Sequence, residues 1–184
     1  MRKVFIDCGA NNGCSVRMFQ GVYDKDETYE VFCFEPNPVF DEWFGDLNVT
    51  LIKKAVWTKD QTLTFYQIEN RRDGKESGAS TLNETKARGH KNVKVHELKV
   101  EAIDFSTWIV DNFSPDDEII LKMDIEGSEY EVLSKMIDDE TINYINKLYI
   151  EFHWQKIGLD KEDHDHLLEK LGDLEIEEWD AMQW

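Results

Sequence analysis

A glycine-containing turn at residues 7–13 is the first segment of the chain that could hold a small molecule. It reads DCGANNG and follows the apolar run at residues 4–6, which is typical of a buried parallel strand. Gly9 and Gly13 allow a tight turn and a close approach of the backbone to a ligand. The N-terminus of a helix behind this turn would favour a carboxylate or a phosphate group. The alternative is an ordinary tight turn in which Asn12 caps the helix.

Glu35 ends the second predicted strand, at residues 30–35, and is followed by Pro-Asn-Pro at residues 36–38. An acid at this position can accept hydrogen bonds from both hydroxyl groups of a ribose. The spacing of Gly9 and Gly13 differs from the Gly-x-Gly-x-x-Gly of dinucleotide sites, which disfavours a nicotinamide dinucleotide. We therefore expect a nucleoside that carries an amino-acid-like tail. The alternative is an exposed acid at a strand end, which is common in so acidic a chain.

Two acids, Asp124 and Glu126, follow the apolar run at residues 119–123. Residues two apart in an extended segment project to the same side. Such a pair could orient a substrate or hold a metal. Alternatively, the pKa of one carboxyl group could be raised, so that this group acts as a general base. His153 follows the next predicted strand and could remove a proton near neutral pH, although a structural role is equally open. The remaining histidines show no spacing typical of a metal site, so the sequence assigns no metal ligands: His90, His96, His164 and His166.

Strand-like and helix-like segments alternate along the chain and would position these residues. The strand patterns cover residues 4–6, 30–35, 49–57, 63–68, 93–100, 119–124, 147–153 and 174–179. The helical patterns cover residues 12–20, 39–44, 105–113, 130–137 and 164–171. This alternation predicts an α/β fold with a mostly parallel sheet and helices on both faces. We expect a single domain over residues 1–184.

The segment at residues 69–99 differs in character from its surroundings. It contains eight lysines and arginines against five acids, with glycines at positions 74, 78 and 89. We expect an insertion or lid near the substrate, whose positive charge would steer an anionic substrate. Mobility would come from the small residues at 77–81. A solvated loop whose charges serve only solubility is the alternative.

Composition excludes several classes of protein. The net charge is −18, which argues against a nucleic-acid binder and against a polybasic membrane anchor. No apolar run approaches the roughly 20 residues that span a bilayer, and the first residues do not resemble a signal peptide. The three cysteines cannot all pair with one another, which favours a reducing compartment. We therefore expect a cytoplasmic protein.

Taken together and in order, these motifs resemble the FkbM-like family of S-adenosylmethionine-dependent methyltransferases. The matching segments are residues 5–13, 34–38, 121–130 and 150–153. The resemblance implies a Rossmann-like class I methyltransferase fold with strand order 3-2-1-4-5-7-6, and methyl transfer to an oxygen of a small-molecule or sugar-type hydroxyl. The little chain that follows Trp179 leaves open an incomplete C-terminal edge of the sheet.

The resemblance also implies roles for individual residues. The S-adenosylmethionine cofactor would be bound by Asp7, Gly9, Ala10, Asn11, Asn12, Gly13, Glu35 and Asn37. The candidates around a small-molecule or glycan acceptor are Asp124, Glu126 and His153. A catalytically silent nucleotide-binding or interaction domain with the same fold is the alternative function.

Overall fold

The computed structural model describes residues 1–71, 74–76 and 78–179. In these residues the chain forms nine strands: β1 (Lys3–Cys8), β2 (Glu30–Phe34), β3 (Thr50–Ile52), β4 (Ala55–Trp57), β5 (Gln61–Asn70), β6 (Val93–Asp104), β7 (Glu118–Met123), β8 (Lys147–Ile150) and β9 (Glu175–Glu178). The α-helices are α1 (Cys14–Val22), α2 (Glu84–Gly89), α3 (Phe105–Asn112), α4 (Glu129–Asp138), α5 (Trp154–Ile157) and α6 (Lys161–Leu171). Two 3-10 helices lie at Pro38–Phe44 and Thr141–Tyr144.

The central sheet has six strands in the order β3-β2-β1-β7-β8-β9, and every neighbouring pair is parallel. The predicted α/β class with a mostly parallel sheet is therefore confirmed. The predicted order 3-2-1-4-5-7-6 is wrong at the C-terminal edge, because β9 pairs directly with β8 in parallel. The crossover through α6 returns the chain in the same direction as β8, so β9 occupies the place expected for an antiparallel strand. No antiparallel strand joins this sheet within the described residues.

Both faces of the central sheet are covered by helices. Alternate residues of β1 point to opposite faces and therefore enter different cores. Val4 and Ile6 belong to the core cluster that includes buried residues of α3, α4 and α6. Phe5 lies on the other face, where its ring stacks on Phe19 of α1 with the ring centroids 3.9 Å apart. The apolar run therefore serves two cores at once, as expected of a central parallel strand.

A second, three-stranded sheet has the order β4-β6-β5 and was not predicted. The segment predicted as one strand at residues 49–57 is split at Lys53 and Lys54, so that β3 and β4 belong to different sheets. β5 and β6 form a long antiparallel pair whose connection contains α2, and β4 pairs in parallel with β6. Ala55, Phe65, Val100 and Ala102 form the buried core of this sheet.

Much of the segment at residues 69–99 is regular structure rather than one long loop. It contains the end of β5, the helix α2 and the first part of β6. Arg72, which belongs to the predicted basic segment, lies outside the described residues, as do Ser77 and residues 180–184. The described helices include none that is both long and apolar enough to cross a bilayer. All three cysteines are unpaired.

Candidate active site

A cleft opens at the carboxyl ends of β1, β2 and β7, where ligands bind in open parallel sheets. It encloses about 610 Å³ of space, which includes its opening to solvent. The second sheet and the chain that follows β5 form the opposite wall. The residues that line the cleft include Gly9, Asn11, Glu35, Asn37, Phe40, Val56, Phe65, Glu76, Ser80, Leu82, Asp124 and Glu126.

The turn after β1 is fixed by Gly9, which has a φ of +80°. A Cβ at this position would overlap the carbonyl oxygen of Asp124, so the close contact between the ends of β1 and β7 requires glycine. The backbone N–H groups of Gly9 and Ala10 donate to the carbonyl oxygen of Phe34, at 3.0 and 3.1 Å. The turn therefore crosses the end of β2 and brings Asn11 to Glu35.

Glu35 is almost fully buried at the wall of the cleft. Its Oε2 accepts a hydrogen bond from the backbone N–H of Asn11, and its Oε1 accepts one from the backbone N–H of Asn37, both at 2.8 Å. Burial raises the pKa of Glu35 to about 7, against the opposing effect of these two hydrogen bonds. The carboxylate is held in a fixed orientation and still has acceptor positions to offer a ligand.

Four of the eight predicted cofactor residues line this cleft: Gly9, Asn11, Glu35 and Asn37. Asn37 also accepts hydrogen bonds from the backbone N–H of Val39 and from Gln67, which ties the first 3-10 helix to the second sheet. The amide of Asn37 therefore holds the wall of the cleft in place.

The other four predicted cofactor residues do not line the cleft: Asp7, Ala10, Asn12 and Gly13. Asp7 is fully buried, accepts a short hydrogen bond from Ser15, and lies 3.0 Å from Nζ of Lys122. The same ammonium group donates to the carbonyl oxygen of Gly9 at 2.9 Å, so Asp7 supports the turn from below.

The remaining three of these residues shape the turn and the start of α1. Ala10 is buried in the core on the α1 face of the sheet. The side-chain oxygen of Asn12 accepts from the backbone N–H of Cys14, but the N-cap of α1 is Gly13, whereas the capping alternative placed Asn12 there. Gly13 takes a left-handed conformation with φ of 72° at the N-cap of α1. Direct contact of these residues with a cofactor stays a prediction.

Asp124 and Glu126 both line the cleft, as their positions after β7 suggested. The backbone N–H of Asp124 donates to the carbonyl oxygen of Cys8, which fixes the strand end beside the glycine turn. Burial raises the pKa of the Asp124 carboxyl group, and its Oδ1 atom has no hydrogen-bond partner in the described structure. Glu126 has a φ of 58°, and its carbonyl oxygen accepts from Thr81 at 2.6 Å.

His153 lies behind Glu126 and is 1% exposed, so it does not line the cleft itself. Its Nδ1 lies 3.0 Å from Oε1 of Glu129, and its Nε2 lies 3.2 Å from Glu126 and 3.3 Å from Glu151. Burial alone would lower the pKa of His153, but the carboxylates of Glu129 and Glu151 raise it. The contact with His153 in turn lowers the pKa of Glu151 to about 2. The imidazole ring therefore contacts three carboxylates, those of Glu126, Glu129 and Glu151.

Lys86 completes this cluster and was missed by the sequence analysis. It belongs to α2, it is 3% exposed, and its Nζ contacts Oε2 of Glu126. Burial, reinforced by the nearby ammonium group of Lys156, lowers the pKa of Lys86 to about 8. Nothing in the sequence marks this lysine out from its basic neighbours, because its position depends on how the second sheet packs against the first.

The described lysines and arginines of the segment at residues 69–99 do not line the cleft. Arg71 donates to the carbonyl oxygen of Val93, Lys94 pairs with Glu69, and Arg88 pairs with Glu84. The segment contributes Glu76, Gly78, Ser80 and Leu82 to the lining instead. Electrostatic steering of an anionic acceptor by this segment stays a prediction.

Comparison with known families agrees with this arrangement. The family model described as the Methyltransferase FkbM domain matches residues 7–179, which include all three segments that line the cleft from the central sheet. No curated protein and no solved structure gives a significant match. The match covers most of the chain, and the chain therefore belongs to the FkbM methyltransferase family.

Proposed function

We propose that this methyltransferase uses S-adenosylmethionine bound in the cleft and methylates a hydroxyl oxygen of a small molecule or a sugar. The observation that carries the proposal is the Glu35 carboxylate, each of whose oxygens accepts one backbone N–H, from Asn11 and from Asn37. A carboxylate offers about four acceptor positions. The remaining positions suit the two hydroxyl groups of a ribose, as in other nucleoside sites at the end of a second strand.

The turn after β1 fits the rest of such a cofactor. Gly9 brings the backbone to the cleft wall, and Asn11 lines the cleft next to Glu35. When bound, S-adenosylmethionine supplies a methyl group that is already activated on a sulfonium. The residues of the chain must then orient the acceptor and receive the proton that its hydroxyl group loses.

We propose that Asp124 accepts this proton. It lines the cleft, and burial raises the pKa of its carboxyl group, which makes the carboxylate a stronger base than an exposed aspartate. His153 touches the cleft only through Glu126, so we assign it as a positioning residue that holds this glutamate. Asp124 would therefore receive the proton while Glu126 helps to orient the acceptor.

The shape of the cleft supports an acceptor with an apolar part and hydroxyl groups. Apolar side chains from three parts of the chain, Phe40, Val56 and Phe65, face a floor that carries the carboxylates of Asp124 and Glu126. Carboxylates accept hydrogen bonds from hydroxyl groups but repel anions. The identity of the acceptor and a cytoplasmic location stay predictions.

Calorimetric titration with S-adenosylmethionine tests the cofactor assignment. We expect Glu35→Gln to weaken binding by about 1–3 kcal/mol, because hydrogen bonds to a charged acceptor would be lost. Glu42→Gln is the matched control, since Glu42 is an exposed acid on the first 3-10 helix. An affinity that does not change in Glu35→Gln would remove this residue from the cofactor site.

Turnover distinguishes the enzyme from a silent nucleotide-binding domain. The measurement is transfer of a labelled methyl group to a panel of hydroxyl compounds. Asp124→Asn should slow the transfer by at least about a hundredfold, the scale for loss of a general base, with little change in cofactor affinity. Cofactor binding with no transfer to any member of a broad panel would favour the silent domain.

A further inference from the structure

Three buried side-chain atoms, two from the turn after β7 and one from the turn after β8, lie below the cleft without a hydrogen bond to any described residue. They are Oδ1 of Asp124, Oε2 of Glu126 and Nε2 of His153, and each is buried from solvent. One ligand atom from each of these residues lies within 4.8 Å of the others. Nε2 of His153 and Oε2 of Glu126 lie 3.2 Å apart without forming a hydrogen bond, and Nζ of Lys86, which contacts the same oxygen, also lacks one. Buried polar atoms normally have hydrogen-bond partners, so this group of unsatisfied atoms indicates a missing ligand.

His153 is held in the orientation that suits a metal ligand. Its Nδ1 lies 3.0 Å from Oε1 of Glu129, a fully buried carboxylate that also accepts from the backbone N–H of Gly127. A ring N–H that donates to a buried carboxylate fixes the tautomer and directs the other nitrogen outward. The Nε2 atom therefore points toward the carboxylates of Glu126 and Glu151, at 3.2 and 3.3 Å, and forms a hydrogen bond with neither.

We propose that Asp124, Glu126 and His153 form a binding site for a divalent cation at the floor of the cleft. Two carboxylates and one imidazole form a mixed oxygen and nitrogen set, which suits Mn²⁺ and related divalent ions. Glu129 is the outer partner that orients His153 toward the ion. Coordination requires the neutral ring, so the ion would replace a proton on Nε2.

The surrounding charges favour an additional cation. Four carboxylates meet at this point, those of Asp124, Glu126, Glu129 and Glu151. The ammonium groups that face them are Lys86, which contacts Glu126, and Lys156, which lies 3.6 Å from Glu151. The excess negative charge equals the charge of one divalent ion when His153 is neutral. Lys122 is a further ammonium group near Asp124, but it is paired with Asp7.

Lys86 has a particular place in this proposal. Its ammonium group contacts the same oxygen of Glu126 that we assign to the ion. The lysine and the ion therefore compete for one carboxylate, and binding of the ion would push Lys86 aside. Removal of the ammonium group should consequently strengthen ion binding.

The role of the ion in catalysis rests on the proposed methyl transfer, whereas the binding site does not. A bound cation would place positive charge next to the acceptor oxygen and favour loss of its proton. The proton would pass to the second carboxylate oxygen of Asp124 as the oxygen–methyl bond forms and the carbon–sulfur bond breaks. The sulfonium then becomes a neutral thioether.

Titration of the chain with Mn²⁺, followed by electron paramagnetic resonance, tests the site without cofactor or acceptor. We expect the wild type to bind one Mn²⁺ ion per chain more tightly than any other acidic group of the protein binds it. Asp124→Asn and Glu126→Gln should each weaken this binding at least about tenfold, and Glu129→Gln by about 10–100-fold. His96→Gln is the matched control, because His96 pairs with Glu69 at 3.3 Å on the surface and should not affect the site.

Two further variants keep the test decisive. His153→Gln should abolish Mn²⁺ binding at this site. If His153→Gln does not fold, the Mn²⁺ affinity of Asp124→Asn provides the test. Lys86→Met should bind Mn²⁺ more tightly than the wild type. The proposal is overturned if neither the wild type nor Lys86→Met binds Mn²⁺ at one defined site, or if affinity is unchanged in both carboxylate variants. Failure of cofactor binding in the calorimetric titration would leave this result unaffected.

Discussion

At the scale of single residues, Glu35 links the stability of the fold to pH. Burial raises its pKa to about 7 from an ordinary value of 4.5. Below about pH 4.5 the Glu35 carboxyl group is protonated in both the folded and the unfolded state, so the full stability that it contributes is present. Between pH 4.5 and 7 the unfolded chain loses the proton first, and the stability that Glu35 contributes is lost as the pH rises.

This linkage gives a testable difference between the wild type and Glu35→Gln. We expect the free energy of unfolding of the wild type to fall, relative to the variant, by about 2.5 kcal/mol between pH 5 and pH 8. Urea unfolding at several pH values measures it, with Glu42→Gln as the control that should keep a constant offset. A constant offset for Glu35→Gln as well would show that Glu35 is not a buried, late-titrating group.

At the scale of elements, the ends of β1 and β7 make a close contact at Gly9. Gly9→Ala would force the new Cβ against the carbonyl oxygen of Asp124 in a backbone conformation that alanine avoids. We expect a loss of at least about 3 kcal/mol in the free energy of unfolding, because both strands are central.

Gly21→Ala in α1 is the matched control for this prediction. Gly21 has open space around the position of a Cβ, so alanine there should stabilise the helix by about 0.5–1 kcal/mol. Thermal and chemical unfolding of the two variants gives the comparison. A Gly9→Ala variant as stable as the wild type would contradict the close contact between the two strand ends.

The elements also show how far the sequence could predict the fold. The strands β1, β2 and β7 were predicted closely, because continuous apolar runs that serve two cores leave a strong pattern. The helix α2 was not predicted, because its six residues provide no apolar period. The break between β3 and β4 was missed because residues 49–57 read as one strand, although its halves join different sheets.

The candidate site divides in the same way. Glu35, Asp124 and Glu126 were found because the carboxyl ends of parallel strands meet at one edge, a rule that needs only the order of the strands. Lys86 could not be found, since its contact with Glu126 joins α2 to the turn after β7, and only the tertiary fold brings these two parts of the chain together. Direct contact of Asp7 with a ligand was inferred from its motif, whereas its partners Ser15 and Lys122 appear only in three dimensions.

At the scale of the whole molecule, the net charge of −18 should affect which ligands the cleft attracts. S-adenosylmethionine carries a net positive charge near neutral pH, whereas the demethylated product, S-adenosylhomocysteine, carries none. The long-range field of the chain therefore favours the substrate over the product at low salt. Salt screens that field, with a Debye length of about 10 Å at 0.1 M.

We therefore expect salt to weaken binding of the two ligands unequally. Between about 0.02 and 0.3 M NaCl, the affinity for S-adenosylmethionine should fall by an amount on the order of 1 kcal/mol, while that for S-adenosylhomocysteine changes little. Calorimetric titration of both ligands at pH 8 measures the difference, and the product, which has no net charge, is the internal control because it would make the same ribose contacts. An equal response of both ligands would mean that local contacts alone, such as those of Glu35, decide affinity. An unequal response would show that the charge of the whole chain helps to exchange product for substrate.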